Sequence, residues 1–174
     1  AIAYIGLCNY DRVSIYAWSG GMTHELRGLR GRRLMSQVVA FLESIDPDGT
    51  SNLAATTRQY VIRHPQPGIV MLLSDFLDKG GVETGFKYLL GRKYDLYAVQ
   101  ILSPEEIDPQ LAGDLQLVDV EDDDVAEITV SRALLDRYKR TLQAYCEHIR
   151  DYCTRRGISY LFTSTEAGFD QMVM

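Results

Sequence analysis

Disulfide chemistry is the first thing this chain lacks material for. Its 174 residues hold three cysteines, Cys8, Cys146 and Cys153. An odd, sparse count excludes a disulfide framework and suits a reducing compartment. Cys146 and Cys153 stand seven residues apart, about two helical turns, which no disulfide spans within one regular helix. All three read as buried free thiols. Histidine is equally sparse: His24, His64 and His148 are scattered, and none sits at zinc-site spacing from a cysteine. No apolar run approaches the ~20 residues of a membrane-spanning helix, and no secretory signal is visible. Positive charge is in deficit. The formal net charge of -6 argues against bulk nucleic-acid binding, which needs a broad basic surface. Enzyme signatures are missing too: no Gly-x-x-x-x-Gly-Lys phosphate loop, no Gly-x-Gly-x-x-Gly dinucleotide turn, no Gly-x-Ser-x-Gly nucleophile elbow.

What is present is the pattern of a single globular domain long enough to bury a substantial core. Residues 1–9 read as the end of a helix. Val13 to Trp18 reads as a strand, with a short strand through Thr23 to Leu26 returning along the sheet edge. Leu34, Val38, Phe41, Leu42 and Ile45 mark one helical face, stopped by Asp46-Pro47-Asp48-Gly49. Ser51 or Asn52 caps a helix through Leu53, Ala54, Thr57, Tyr60 and Val61, which ends before His64-Pro65. A helix over 81–91 turns Val82, Phe86, Leu89 and Leu90 inward. Tyr94 to Leu102 is a strand, and Ser103-Pro104-Glu105-Glu106 opens a short helix with a capping box. Two short strands around an acidic tip, Glu121-Asp122-Asp123-Asp124, form a hairpin. A long helix over 132–156 carries Leu134, Leu135, Tyr138, Leu142, Tyr145, Ile149 and Tyr152 on its apolar face, and Gly157 ends it. Residues 158–163 are a final strand. Alternating strands and helices predict an α/β, Rossmann-like fold: a mostly parallel sheet flanked by helices, with a small β-hairpin insert.

The sharpest stretch is Ile69-Val70-Met71-Leu72-Leu73-Ser74-Asp75-Phe76. Five apolar residues without alternation read as a strand buried on both faces. Ligands of parallel sheets bind beyond the carboxyl ends of the strands, and Asp75 falls at that end. Asp75 either serves a ligand there or closes the loop and caps the next helix. The second motif, Asp48-Gly49-Thr50-Ser51-Asn52-Leu53, is a glycine turn running into a helix start, with hydroxyls beside free backbone N–H groups. A hydroxyl with a carboxylate is a hard-oxygen set that suits Mg²⁺. Helix capping explains Thr50 and Ser51 equally well.

The run Tyr10-Asp11-Arg12-Val13 into a strand, then Asp48-Gly49-Thr50-Ser51-Asn52-Leu53, then Ile69 to Phe76, resembles von Willebrand factor A-like domains. The resemblance is to a bacterial branch, itself a domain of unknown function, encoded beside MoxR-type AAA+ ATPases. It extends through Tyr94 to Glu106, the strand at Leu117-Val118-Asp119-Val120-Glu121, and Tyr138. It implies one domain over 1–174 and a metal-ion-dependent adhesion site holding Mg²⁺. Thr50 would match the loop threonine of that site and Asp75 its strand-end aspartate. The Asp-x-Ser-x-Ser element has no match in these 174 residues. The chain begins at Ala1 inside a helix, so a piece of a longer protein is expected, lacking the first, central strand and its metal motif. Weak or no metal binding by the chain alone follows, and Val13–Trp18 and Ile69–Ser74 would lose a shared neighbour. Self-association through those exposed strand edges is then expected.

The resemblance implies a non-catalytic protein-interaction module working with a MoxR-type AAA+ ATPase or another carboxylate-bearing protein. The expected location is the bacterial cytoplasm, with membrane anchoring of the parent protein left open. The rival is a Mg²⁺-dependent phosphohydrolase or nuclease using Asp75, assisted by Asp78. Against it, no second carboxylate stands at Asp-x-Asp spacing beside Asp75, and no plausible general base or nucleophile pair accompanies it. Arg27, Arg30, Arg32 and Arg33 read as a solvated loop and helix start rather than a phosphate grip. Trp18 at a strand end reads as packing.

Overall fold

The computed structural model describes residues 1–19, 21–46, 50–118 and 125–167. Helix α1 (Ile2–Cys8) leads into an antiparallel hairpin of β1 (Val13–Ser19) and β2 (Gly21–Leu29). The second strand is longer than the expected Thr23–Leu26 because it pairs from Gly21 opposite Ser19 to Leu29 opposite Val13. A turn of 3-10 helix at Arg32–Leu34 enters α2 (Met35–Glu43). Leu7, Leu29 and Val38 form a small core here, with Val13, Ile15, Leu26 and Leu34 packed around it. Leu42 was expected inward but lies exposed. Leu42 stands one turn after Val38 on the same side of the helix, but the small core takes in Val38 and does not extend to the last turn of this short helix.

The larger unit begins with α3 (Leu53–Arg63), capped by Asn52, whose Oδ1 accepts the Ala55 N–H at 2.8 Å. Then follow β3 (Gly68–Ser74), α4 (Glu83–Leu90), β4 (Tyr94–Leu102) and α5 (Pro104–Ile107). The capping box at Ser103 and Glu106 forms as expected. Strands β5 (Gly113–Val118) and β6 (Val125–Val130) pair as an antiparallel hairpin, and the acidic tip 121–124 lies outside the described residues. Helix α6 (Arg132–Arg155) ends at Gly157, whose φ of 71° is the left-handed C-terminal geometry that glycine adopts without strain. Strand β7 (Ser159–Ser164) completes a parallel three-stranded sheet in the order β3-β4-β7.

One face of this sheet is covered. Val70, Leu72, Leu96 and Ala98 pack with Leu53 and Val61 of α3, Phe86 and Leu89 of α4, and Ile149, Tyr152 and Cys153 of α6. Helices α3 and α4 meet closely at Gly85, where a Cβ would come within 2.7 Å of Leu53 Cγ. Trp18 and Tyr60 pack against the same cluster, and Tyr16 meets Tyr60 edge-on at 5.4 Å. The hairpin is thus held to the larger unit through α3.

The opposite face corrects one expectation. Strand β3 is not buried on both faces: Ile69 is 69% exposed and Leu73 45%. On the same face Tyr97 of β4, paired with Met71, and Leu161 of β7 are exposed as well, whereas Val99 of β4, between Leu73 and Leu161, is buried. The apolar run arises from one buried face and one open apolar face, a pattern that periodicity cannot tell from double burial. Strands β1 and β3 each have one hydrogen-bonded strand neighbour among the described residues.

The thiols correct a second expectation. Only Cys153 is buried, and burial pushes its pKa up to about 11. Cys146 is half-buried and Cys8 exposed. The first half of α6 also lies open, with Leu134 and Tyr138 exposed. Its apolar stripe reaches the core only from Tyr145 onward. No helix among the described residues is long and apolar enough to cross a membrane. Arg27 pairs with Glu25 and Arg30 donates to Tyr10 O at 2.7 Å. These arginines lie on the surface.

Candidate functional site

Strand β3 ends at Ser74, and the chain makes an abrupt turn over Asp75-Phe76-Leu77-Asp78. Phe76 adopts φ of 58°, a left-handed conformation that costs a non-glycine residue on the order of 1–2 kcal/mol. Such strain persists where the surroundings over-determine it. Here they do so at three successive residues. The Ser74 hydroxyl accepts the Phe76 N–H at 3.0 Å and lies 3.3 Å from Asp75 Oδ1. Asp75 Oδ1 accepts the Leu77 N–H at 3.0 Å, an Asx turn. The Phe76 ring is buried against Phe86 at 5.6 Å between centroids.

Two longer side chains reach in from other elements. Gln100 of β4, fully buried, donates Nε2–H to the Asp75 carbonyl at 2.7 Å. Tyr145 of α6 donates its hydroxyl to the Phe76 carbonyl at 2.6 Å. The Tyr145 phenol is raised above its ordinary pKa by burial, and then by the charges of Asp78 and Asp75. It therefore remains a donor across the physiological range. The Gln100 Oε1 is occupied by the Tyr160 hydroxyl at 2.6 Å. Burial raises the pKa of Tyr160 too, with Cys146 and Cys153 beside it.

Asp78 has a different task. Its Oδ2 accepts the Leu53 N–H at 2.6 Å and its Oδ1 accepts the Gly80 N–H at 2.6 Å. A carboxylate thus sits on the first turn of α3, where the helix dipole and free N–H groups favour negative charge. This bond fastens the turn after β3 to the start of α3. It brings the two sequence motifs to one rim: Asp75 lies three residues before Asp78, and Thr50 three before Leu53. Both Thr50 and Asp75 are exposed. The other half of the glycine turn, Asp48-Gly49, lies outside the described residues.

The donors on this rim suit a hard cation in kind. Asp75 keeps Oδ2 clear of any protein hydrogen bond among the described residues, and a free carboxylate oxygen with a nearby hydroxyl is the chemistry Mg²⁺ selects. In number they are a partial set. Both oxygens of Asp78 are engaged by backbone N–H groups. No cluster of three or more His, Cys, Asp or Glu side chains that could hold a metal occurs among the described residues.

Gln100, Tyr145 and Tyr160 were not apparent as site residues from sequence. The signal available for Gln100 was a lone amide in the apolar run Ala98-Val99-Gln100-Ile101-Leu102. Tyr145 was read as helical core, which it is in part.

No curated protein matches the chain, and no solved structure does. A family pattern matches residues 1–148, most of the chain. The protein therefore belongs to the family described as "Protein of unknown function DUF58".

Proposed function

We propose that this domain is a non-catalytic protein-interaction module of the von Willebrand factor A-like type. In this reading it works with a MoxR-type AAA+ ATPase or another carboxylate-bearing protein. A Mg²⁺ ion would bridge Asp75 and the partner's carboxylate, with the Thr50 hydroxyl as a further ligand and the Asp-x-Ser-x-Ser element supplied by residues preceding Ala1. The observation that carries this reading is the pinned turn at the end of β3, which leaves one oxygen of the exposed Asp75 without a hydrogen-bond partner among the described residues. The engagement of Asp78 by two backbone N–H groups supports it over a phosphohydrolase or nuclease. Such an enzyme needs a second carboxylate for metal or proton transfer, and the nearest one is committed elsewhere.

Calorimetric titration of Mg²⁺ and Mn²⁺ into the natural full-length protein tests this reading, with an Asp75→Ala variant beside it. Saturable heat that the substitution abolishes is expected. Absence of heat in both proteins would reject the metal site. Phosphoester hydrolysis lost in Asp75→Ala would favour the enzyme.

A specific feature favours a second partner for the isolated chain, namely another copy. Within Gly68–Ser74, β3 carries no charge and no proline, the devices that blunt an open strand edge. Its exposed Ile69 and Leu73 add apolar surface beside that edge. The 174-residue chain is expected to self-associate through β1 or β3. A monomeric mass in solution, with both strands fully protected from hydrogen exchange, would refute this.

A further inference from the structure

We infer that Gln100 is a positioning residue for the Asp75 carboxylate, acting together with Tyr145 through the backbone carbonyls of the turn. The inference rests on the reading of Asp75 as a ligand. The reasons lie in the geometry of the amide. Gln100 is fully buried on the helix-covered face of β4, where an apolar side chain of equal volume would pack at no desolvation cost. Its bonds go instead to functional-rim backbone on one side and to the half-buried Tyr160 phenol on the other. The assignment of its ends is unambiguous: the Asp75 carbonyl only accepts, so it faces the NH₂ group, and Oε1 is left to accept from Tyr160. Nε2 and Oε1 are therefore both engaged, the first as donor and the second as acceptor. Every polar atom of Gln100 thus has a partner, which fixes the amide in one orientation.

The consequence is a clamp on two successive carbonyls. Gln100 holds that of Asp75 and Tyr145 that of Phe76. With both carbonyls drawn inward, the backbone at Phe76 is kept at positive φ. The Asp75 side chain is then turned out and bonded to the Leu77 N–H. Released from the clamp, Phe76 relaxes toward ordinary φ and Asp75 loses its fixed direction. Neither clamp residue touches the ligand position. Both act on the direction in which Asp75 Oδ2 points.

The test uses the full-length protein with Gln100→Met, which keeps volume but removes the amide, and with Tyr145→Phe, which removes only the hydroxyl. The first readout is the Leu77 amide, by NMR shift and hydrogen exchange. Both variants are expected to lose its protection while circular dichroism shows an intact fold. The second is Mn²⁺ binding, expected to weaken about 10-fold or more in each, as for other supports of metal ligands. Unchanged Leu77 exchange in both variants overturns the inference. If the wild-type protein binds no Mn²⁺, the ligand reading fails, while the Leu77 amide still decides whether the clamp exists. Should Gln100→Met fail to fold, Tyr145→Phe carries both readouts alone.

Discussion

Replacing Phe86 by alanine is expected to remove about 3–5 kcal/mol of folding stability. Against a total of about 5–15 kcal/mol for an ordinary domain, this is a large share of the stability, and at the low end of that range it leaves the variant barely folded. Phe86 has no exposed surface. Its ring lies against Phe76 at 5.6 Å and against Tyr152 at 6.0 Å, so it joins the turn after β3 to α6. The site has little freedom to collapse into the space vacated. Helices α3 and α4 already touch at Gly85, where even a methyl group would collide with Leu53. The cavity term therefore adds to the lost transfer free energy. Urea unfolding followed by circular dichroism measures this: the midpoint should fall by more than about 1 M, given a slope of about 1–3 kcal/mol per molar urea. Phe86→Leu should recover about half of the loss, since it refills much of the volume. A loss under about 1 kcal/mol for the alanine variant would show that Phe86 does not occupy a packed core. The effect also reaches the rim, because Phe76 keeps its left-handed backbone partly by burying its ring on Phe86.

The order of helices and strands was legible because local chemistry specified it. Asn52 and Ser103 cap the helices they precede, and Gly157 supplies the left-handed residue that ends α6. Strand β4 was legible to the residue. The environment of β3 was not. An apolar run reports that a strand is apolar, and whether a second layer covers it depends on elements elsewhere in the chain. The exposed Ile69 and Leu73 show the difference. At the site, Asp75 was legible because a carboxylate after an apolar strand stands where ligands bind. Thr50 was legible only through resemblance, and the contact that brings its motif to the same rim runs through Asp78 to Leu53. That contact links residues 25 apart, and no local pattern encodes it. Gln100 and Tyr145 act through backbone carbonyls, which leave no mark in sequence beyond an amide in an apolar strand and one more tyrosine on a helix. The cysteines misled for a related reason: the frequency with which free thiols are buried is a property of the residue, whereas Cys8 lies at the surface end of a short helix.

Asp78→Ala should destabilise the domain by about 2–3 kcal/mol, nearly as much as a core truncation and by a polar mechanism. Two backbone N–H groups lose their acceptor, those of Leu53 and Gly80. The Leu53 N–H is part-buried, and a buried donor without a partner costs about 1–3 kcal/mol. Loss of a capping group at a helix start costs about 0.5–2 kcal/mol. These contributions overlap, since both concern the first turn of α3. Asn52 continues to cap Ala55 in the variant, which keeps the loss below their sum. Asp78→Asn should fall between the two proteins, because its remaining carbonyl oxygen accepts one of the two bonds and the charge at the helix start is gone. Removing that charge has a second consequence. Asp78 helps to raise the Tyr145 pKa, so in Asp78→Asn the Tyr145 phenol should titrate at lower pH than in the parent protein. Ultraviolet difference titration or NMR of the tyrosine ring reads this directly. The pair of variants also separates the rival functions. If Asp78 is a structural anchor, Asp78→Asn keeps the Asp75-dependent Mn²⁺ binding of the full-length protein within a few-fold, with reduced stability. If Asp78 is the second carboxylate of a phosphoester hydrolase, Asp78→Asn abolishes turnover, and the loss exceeds anything its stability explains. The two bonds to backbone N–H groups favour the first outcome, because a carboxylate that holds a helix start cannot also swing to a metal or a proton without releasing that helix.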